Sequence, residues 1–441
     1  MKPFDLQRYR ETVRQIDRFD CSGKVSEVVG LTVECVGLNA RMGEVCRLYT
    51  GRGEEYILSE VVGFKEDKVL LMPLGGLSGV GPDNYVVSTN EALRVPVGMG
   101  CLGRVLDAFG NPMDGKGPVK PDAYYSVINP PPNPLTRQRI QEVLPLGIKA
   151  IDSLLTVGRG QRIGIFAGSG VGKSTLLGMM ARNAQADINV IILVGERGRE
   201  VRDFLEKDLQ EEGLAKSVIV CATSDQPALV RLKSADVGTS IAEYFRDQGM
   251  DVLLLMDSLT RYAMAQREIG MAIGEPPVSR GYTPSVYAAM PKLLERSGAS
   301  DVGTITGLYT VLVEGDDMNE PISDTVRGIL DGHIVLSRKL ANNNHYPAID
   351  VLASISRLMP DIASKEHLQK AGFLKNMMAT YREVQDLISI GAYKRGTNPS
   401  VDMAIELQEP INELLQQLVE ERYSFDETVD IMKKIEGKGI K

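Results

Sequence analysis

Apolar and polar positions along the chain fall into four successive patterns. At the N-terminus, Leu6, Tyr9, Val13 and Ile16 are spaced 3, 4 and 3 residues apart. That spacing puts them on one stripe of a helix, which predicts an amphipathic helix over 1–20. Between Gly23 and Val95 the period shortens. The runs Val25–Val29, Leu31–Val36, Glu55–Val62, Lys68–Met72 and Tyr85–Ser88 alternate with Gly, Asn and Asp turns, which predicts a small antiparallel β-barrel over 21–95. The Pro-rich stretch Asn129–Pro134 reads as a stiff extended connector. From Gly147 to Pro360 apolar runs alternate with helical periods. Strand candidates are Arg162–Ala167, Asn189–Val194, Val218–Ala222, Val252–Met256 and Thr304–Val313. Strands separated by helices of this length build βαβ units, so an α/β domain with a mostly parallel sheet is expected over 96–364. Beyond it, Glu366–Ile390 and Asp402–Arg422 carry the longest helical periods of a helical domain over 365–441.

Composition narrows the function. Apolar residues make up 43% and charged residues 24% of the 441 positions, which is a globular profile. Lys plus Arg is 50 against 58 Asp plus Glu, a formal net charge of −8. This argues against coating nucleic acid or an anionic membrane through net charge, although a local basic site is compatible with it. The 3 His and 5 Cys include no CxxC pair and no short ligand spacing, which argues against zinc. No run reaches the roughly 18–20 apolar residues of a membrane span, and the charged N-terminus lacks a signal-peptide core. A cytoplasmic location is the expectation.

The strongest chemical signal is Ala167–Thr175, AGSGVGKST, between a strand and an apolar-periodic helix. That order is what a phosphate-binding loop requires. Gly168, Gly170 and Gly172 let the backbone curl around a polyphosphate, with Ser169 and Val171 between them. The loop N–H groups and the following helix N-terminus favour the anion. Lys173 can reach the β- and γ-phosphates, the Ser174 hydroxyl suits Mg²⁺, and Thr175 completes the motif. Ala167 stands where the strict pattern has Gly. The strand Val252–Met256 ends in Asp257, the expected acid near the metal.

Hydrolysis also needs a carboxylate to polarise water. Glu196, at the end of the strand Asn189–Val194, sits where parallel sheets place ligands. Glu200 competes but reads as a first-turn helix acid. Arg197 could pair with the acid or with phosphate, or form a structural salt bridge.

These motifs, with GERGRE at 195–200, LLLMDSLTRYA at 253–263 and HYPAIDVLASISR at 345–357, resemble the hexameric rotary ATPases, which include the catalytic subunits of ATP synthase. The segments NPPPNPL, EPPVSRGYTPSVYAAMPKLLER and EGDDMNEPISDTVRGILDGHIVLSRKLA narrow the resemblance to the type III export ATPases of flagella and injectisomes. It runs from about Phe19 to Gly437. It implies a RecA-like P-loop core, ATP and Mg²⁺, Glu196 as catalytic carboxylate, Lys173 and Ser174 as phosphate and metal ligands, and Asp257 near the metal. It further implies Arg261 near the nucleotide, Tyr346 stacking on adenine, and Arg357 as an arginine finger given to a neighbouring subunit. Since one chain carries both Glu196 and Arg357, a homohexamer could complete every site. The resemblance also implies a stator-like regulator on the N-terminal helix, a central stalk-like protein at Ile269–Ser285, and export chaperones, substrates and an export gate at a membrane apparatus. The N-terminal region and the tail favour the flagellar branch. A non-catalytic rotary subunit, an RNA translocase and an ATP synthase subunit are the competing readings. Glu196, the scarcity of aromatics in the barrel and the export-type segments argue against them in turn.

Overall fold

The computed structural model describes residues 22–51, 55–313, 315 and 317–439. The expected N-terminal helix over 1–20 lies outside the described residues. The chain divides into two compact units between Leu93 and Arg94, with Met271–Glu275 grouped with the first.

The first unit is a closed antiparallel barrel of six strands: β1 (Ser22–Val29), β2 (Thr32–Val36), β3 (Glu44–Tyr49), β4 (Tyr56–Lys65), β5 (Lys68–Pro73) and β6 (Tyr85–Ala92). They close in the order β1-β2-β5-β4-β3-β6. Val33, Cys35, Leu48, Val61, Leu71 and Val86 fill its interior. β3 was not among the expected strands. Its sequence, EVCRLY, carries two charges, and a bulge between Glu44 and Cys46 breaks its alternation. Closure of the barrel, which leaves no free edge, holds it in place.

The second unit opens with β7 (Arg94–Val97), β8 (Arg104–Leu106) and β9 (Ala123–Ser126). Its main sheet adds β10 (Arg162–Ala167), β11 (Ile188–Glu196), β12 (Ser217–Thr223), β13 (Asp251–Asp257), β14 (Gly298–Ala299), β15 (Thr304–Leu312), β16 (Gly332–Leu336) and β17 (Ile355–Ser356). The order is β17-β16-β10-β15-β13-β11-β12-β8, with β14 pairing β15. β8, β10–β13, β15 and β16 run parallel. The central strands are buried along their length, save the first residues of β10 and β13, which is why they read as apolar runs. β8, β14, β16 and β17 escaped the sequence pattern because they are short, and β8, β16 and β17 lie at or near an edge.

Among the described helices, Lys365–Ser389 follows the expected boundaries, capped by Ser364, whose hydroxyl accepts from the His367 N–H. The next helix spans Pro399–Leu415 and stops short of the expected Arg422. Leu374, Leu407, Ile411, Leu414 and Met432 of the tail share one hydrophobic core with Ile151, Ile165, Leu308 and Leu336 of the sheet unit. Among the described residues no helix is long and apolar enough to cross a membrane.

Candidate active site

Four neighbouring strands, β10, β15, β13 and β11, end at one edge of the sheet and deliver the chemistry there. β10 runs into the loop Gly168–Gly172, and the helix Lys173–Asn183 follows. Gly172 caps that helix at φ 83°, a left-handed conformation that L side chains rarely adopt. Ser169, Gly170 and Ser174 are exposed while Val171 is buried, so the loop is anchored from below and open above. Thr175 faces the other way and bonds Asp208.

Lys173 Nζ is ion-paired with the Asp257 carboxylate at the end of β13. Thr310, on the intervening β15, donates its hydroxyl to Asp257 Oδ1 at 2.8 Å. Asp257 is thereby fixed from two sides.

Glu196 closes β11. The β11–β12 register shifts between Val194 and Glu196, and Gly195 sits there at φ 66°. This bulge re-aims the last side chain of the strand. Glu196 is 8% exposed. Arg261, on the helix Leu259–Ala272, donates Nε to Oε1 at 3.0 Å and Nη2 to Oε2 at 3.4 Å. Burial, and then the Asp257 charge, push the Glu196 carboxyl up to about 7, against the downward pull of Lys173 and Arg261. A carboxylate near neutrality is suited to accept a proton. Arg197, the candidate next to it in sequence, is exposed and pairs with Glu200 at 3.6 Å instead.

Tyr346 stands at the rim of the loop. A Cβ on Gly172 would sit 3.4 Å from its ring. Beside it opens a cavity of about 450 Å³ lined by Lys149, Asn344, Tyr346, Gln416 and Gln417. A larger cavity, about 570 Å³, lies beside Arg162, Asp331 and Leu358 at the opposite sheet edge and is remote from the phosphate loop.

Arg357 belongs to that opposite edge. Its N–H donates to the Asp331 carbonyl, and the Asp331 N–H donates to the carbonyl of Arg162, the first residue of β10. Its guanidinium bonds the Arg327 carbonyl at 3.2 Å. The five steps from Arg162 to Ala167 span about 17 Å at ~3.3 Å per residue. The structure thus gathers Lys173, Ser174, Asp257, Glu196, Arg261 and Tyr346 and leaves Arg357 a full strand length away. The sequence reading missed Thr310, which carries no motif. It also missed the structural role of Gly195, whose signal was a Gly inside an apolar strand run.

The β-barrel model of the ATP synthase alpha/beta family matches residues 25–90, that family's nucleotide-binding domain matches 147–356, and the T3SS EscN ATPase C-terminal domain matches 363–434. The chain is 54% identical to the flagellum-specific ATP synthase of Bacillus subtilis, over 97% of this chain and 98% of the relative. It is 49% identical to the type 3 secretion system ATPase of Xanthomonas euvesicatoria, over 94% and 93%. The assembled ATPase EscN of the enteropathogenic E. coli type III secretion system, solved in complex with its central stalk EscO, superposes with a TM-score of 0.87 at 45% identity, covering 94% of this chain and 99% of that one. The chain belongs to the ATP synthase alpha/beta family and, within it, to the flagellum-specific and type III secretion ATPases.

Proposed function

We propose that the protein hydrolyses ATP in a ring of identical chains and couples this to chaperone release and flagellar protein export. The observation that carries the ring is the placement of Glu196 and Arg357 at opposite edges of one sheet. A chain built this way can complete a neighbour's site but not its own.

Within a site, the loop N–H groups, the helix N-terminus and Lys173 bind the triphosphate, and Tyr346 stacks on the base. The donor set fits Mg²⁺. An exposed Ser174 hydroxyl and a buried Asp257 carboxylate are hard oxygen ligands, few in number, as suits an ion that keeps water and phosphate around it. Bound there, Mg²⁺ would neutralise charge on the phosphate oxygens. Glu196 orients the attacking water and takes up its proton, and Arg261 holds Glu196 in place. Arg357 of one chain stabilises charge developing on the γ-phosphate held by the next.

The flagellar branch is supported by 54% identity to a flagellum-specific relative against 49% to a type 3 secretion one. The similarity to the EscN–EscO complex supports a stalk-like partner, and the resemblance of Ile269–Ser285 to a channel-facing segment makes that loop its proposed contact. A stator-like regulator at 1–20, export chaperones, substrates and the export gate, and a peripheral position at the membrane apparatus belong to the same reading.

Mixing two inactive variants tests it. Glu196→Gln keeps Arg357, and Arg357→Ala keeps Glu196, so mixed rings contain complete sites. Hydrolysis should return on mixing and rise with protein concentration. Two variants that stay silent together would overturn the shared site.

A further inference from the structure

Where the tail leaves its helix, it reaches back to the nucleotide site through two adjacent residues. The helix Pro399–Leu415 ends with Gln416 in extended conformation. Gln417, 5% exposed, follows. Its side-chain Oε1 accepts the Lys149 N–H at 2.9 Å. Its Nε2 donates to the Gly147 carbonyl at 2.9 Å and to the Glu421 carbonyl at 3.0 Å. Its own backbone N–H donates to the Tyr346 carbonyl at 3.0 Å. The neighbouring pair repeats the arrangement: the Gln416 amide lies 3.3 Å from His345 Nδ1. Two adjacent residues of the tail thus hold two adjacent residues of the loop that carries Tyr346.

We propose that Gln417 is a positioning residue for the base-binding side of the site: its side chain is pinned to Gly147 and Lys149, and its backbone then fixes Tyr346 beside Gly172. The physical basis is the complete satisfaction of a buried amide. Every polar atom of the Gln417 side chain has a partner, and a satisfied buried network has one low-energy arrangement. Tyr346 itself is 41% exposed, so packing alone does not define its place. The inference rests on Tyr346 contacting the base, and the test separates the two.

Dissociation constants of the full chain are measured in Mg²⁺ buffer for two probes, the non-hydrolysable ATP analogue AMP-PNP and inorganic tripolyphosphate. The tripolyphosphate constant divided by the AMP-PNP constant isolates the share of binding due to the base and sugar. Tyr346→Ala should lower that ratio by about tenfold, the size of a base–aromatic stack. If it does not, the base-contact reading fails irrespective of Gln417. Gln417→Leu should lower the ratio by a similar factor with tripolyphosphate affinity unchanged, and adding Tyr346→Ala should lower it no further. A Gln417→Leu ratio equal to wild type, or losses that multiply in the double variant, would overturn the proposal. A variant that fails to fold would lose tripolyphosphate binding too. Gln417→Glu then serves instead: it keeps the acceptor for Lys149 and loses the donors to Gly147 and Glu421, so the ratio should fall partway, and an unchanged ratio overturns the proposal.

Discussion

Arg261 grips Glu196 at two points, Nε on Oε1 at 3.0 Å and Nη2 on Oε2 at 3.4 Å, so a buried acid at the strand end carries its own counter-cation. Burial and the Asp257 charge raise the proton affinity of the proposed base, and Arg261, with Lys173, pulls it back down. A base works deprotonated, so kcat/KM should rise with pH through an acid limb near the value of about 7 at which Glu196 stands. Arg261→Gln removes a downward pull and should move that limb to higher pH, lowering turnover at neutrality. Rate profiles on either side of neutrality decide this; an unmoved limb excludes Arg261 as a cation that tunes Glu196.

Glu196→Gln should bind nucleotide and lose turnover. It should also change how stability depends on pH. The folded value of Glu196 lies above its ordinary 4.5, so the fold favours the protonated acid. The associated stability is full below pH 4.5 and is lost as pH rises through about 7. The Tm of the wild type should therefore fall relative to Glu196→Gln across that window. A constant difference between the two melting curves would contradict the assignment.

Gly195→Ala tests the bulge. At φ 66° a side chain is strained, and its Cβ would sit 3.2 Å from Arg261 Cδ. The strain costs about 1–2 kcal/mol, and the displaced Arg261 should lower kcat by about tenfold, or ~1.4 kcal/mol of barrier. ATP affinity should be retained; steady-state kinetics with a binding measurement separates the two.

Arg357→Ala should leave nucleotide binding to the isolated chain untouched, because the guanidinium lies at the far sheet edge. In the ring it should remove about 10³–10⁵ of turnover, the usual worth of an arginine finger. Comparable losses of binding and turnover would point to a structural role instead.

Stability rests partly on a buried pair away from the site. Arg296 donates Nε and Nη2 to the two Glu243 oxygens, both at 2.8 Å, with side chains 5% and 2% exposed. Arg296→Met should cost about 3–5 kcal/mol by stranding a buried carboxylate. Arg296→Met with Glu243→Leu should recover only part of it, because Asp236, 3.6 Å from Arg296 Nη1, still loses that cation; thermal or denaturant unfolding reads both.

The sheet was legible because its strands are buried on both faces, so Ile163, Val190 and Leu254 announce themselves as apolar runs. The phosphate loop was legible because its chemistry is local: AGSGVGKST needs only its own backbone. The partner of Glu196 was not. Arg197 is its neighbour in sequence, yet the strand end turns that side chain to solvent, and Arg261 arrives from a different helix 65 residues on. The helix over Asp402–Arg422 was read too long for a related reason. Its period continues in the sequence, but the bonds of Gln417 to Gly147, Lys149 and Tyr346 outweigh helix propensity. β3 was missed because its charges suit a barrel wall, which only closure reveals.

The separation of Glu196 from Arg357 has a genetic consequence. On the reading proposed above, a chain that lacks Arg357 keeps its own Glu196 side intact and silences the site of the chain beside it. In a cell that makes both forms, the damage falls on healthy copies, so such an allele would act dominantly even as a minority of the pool.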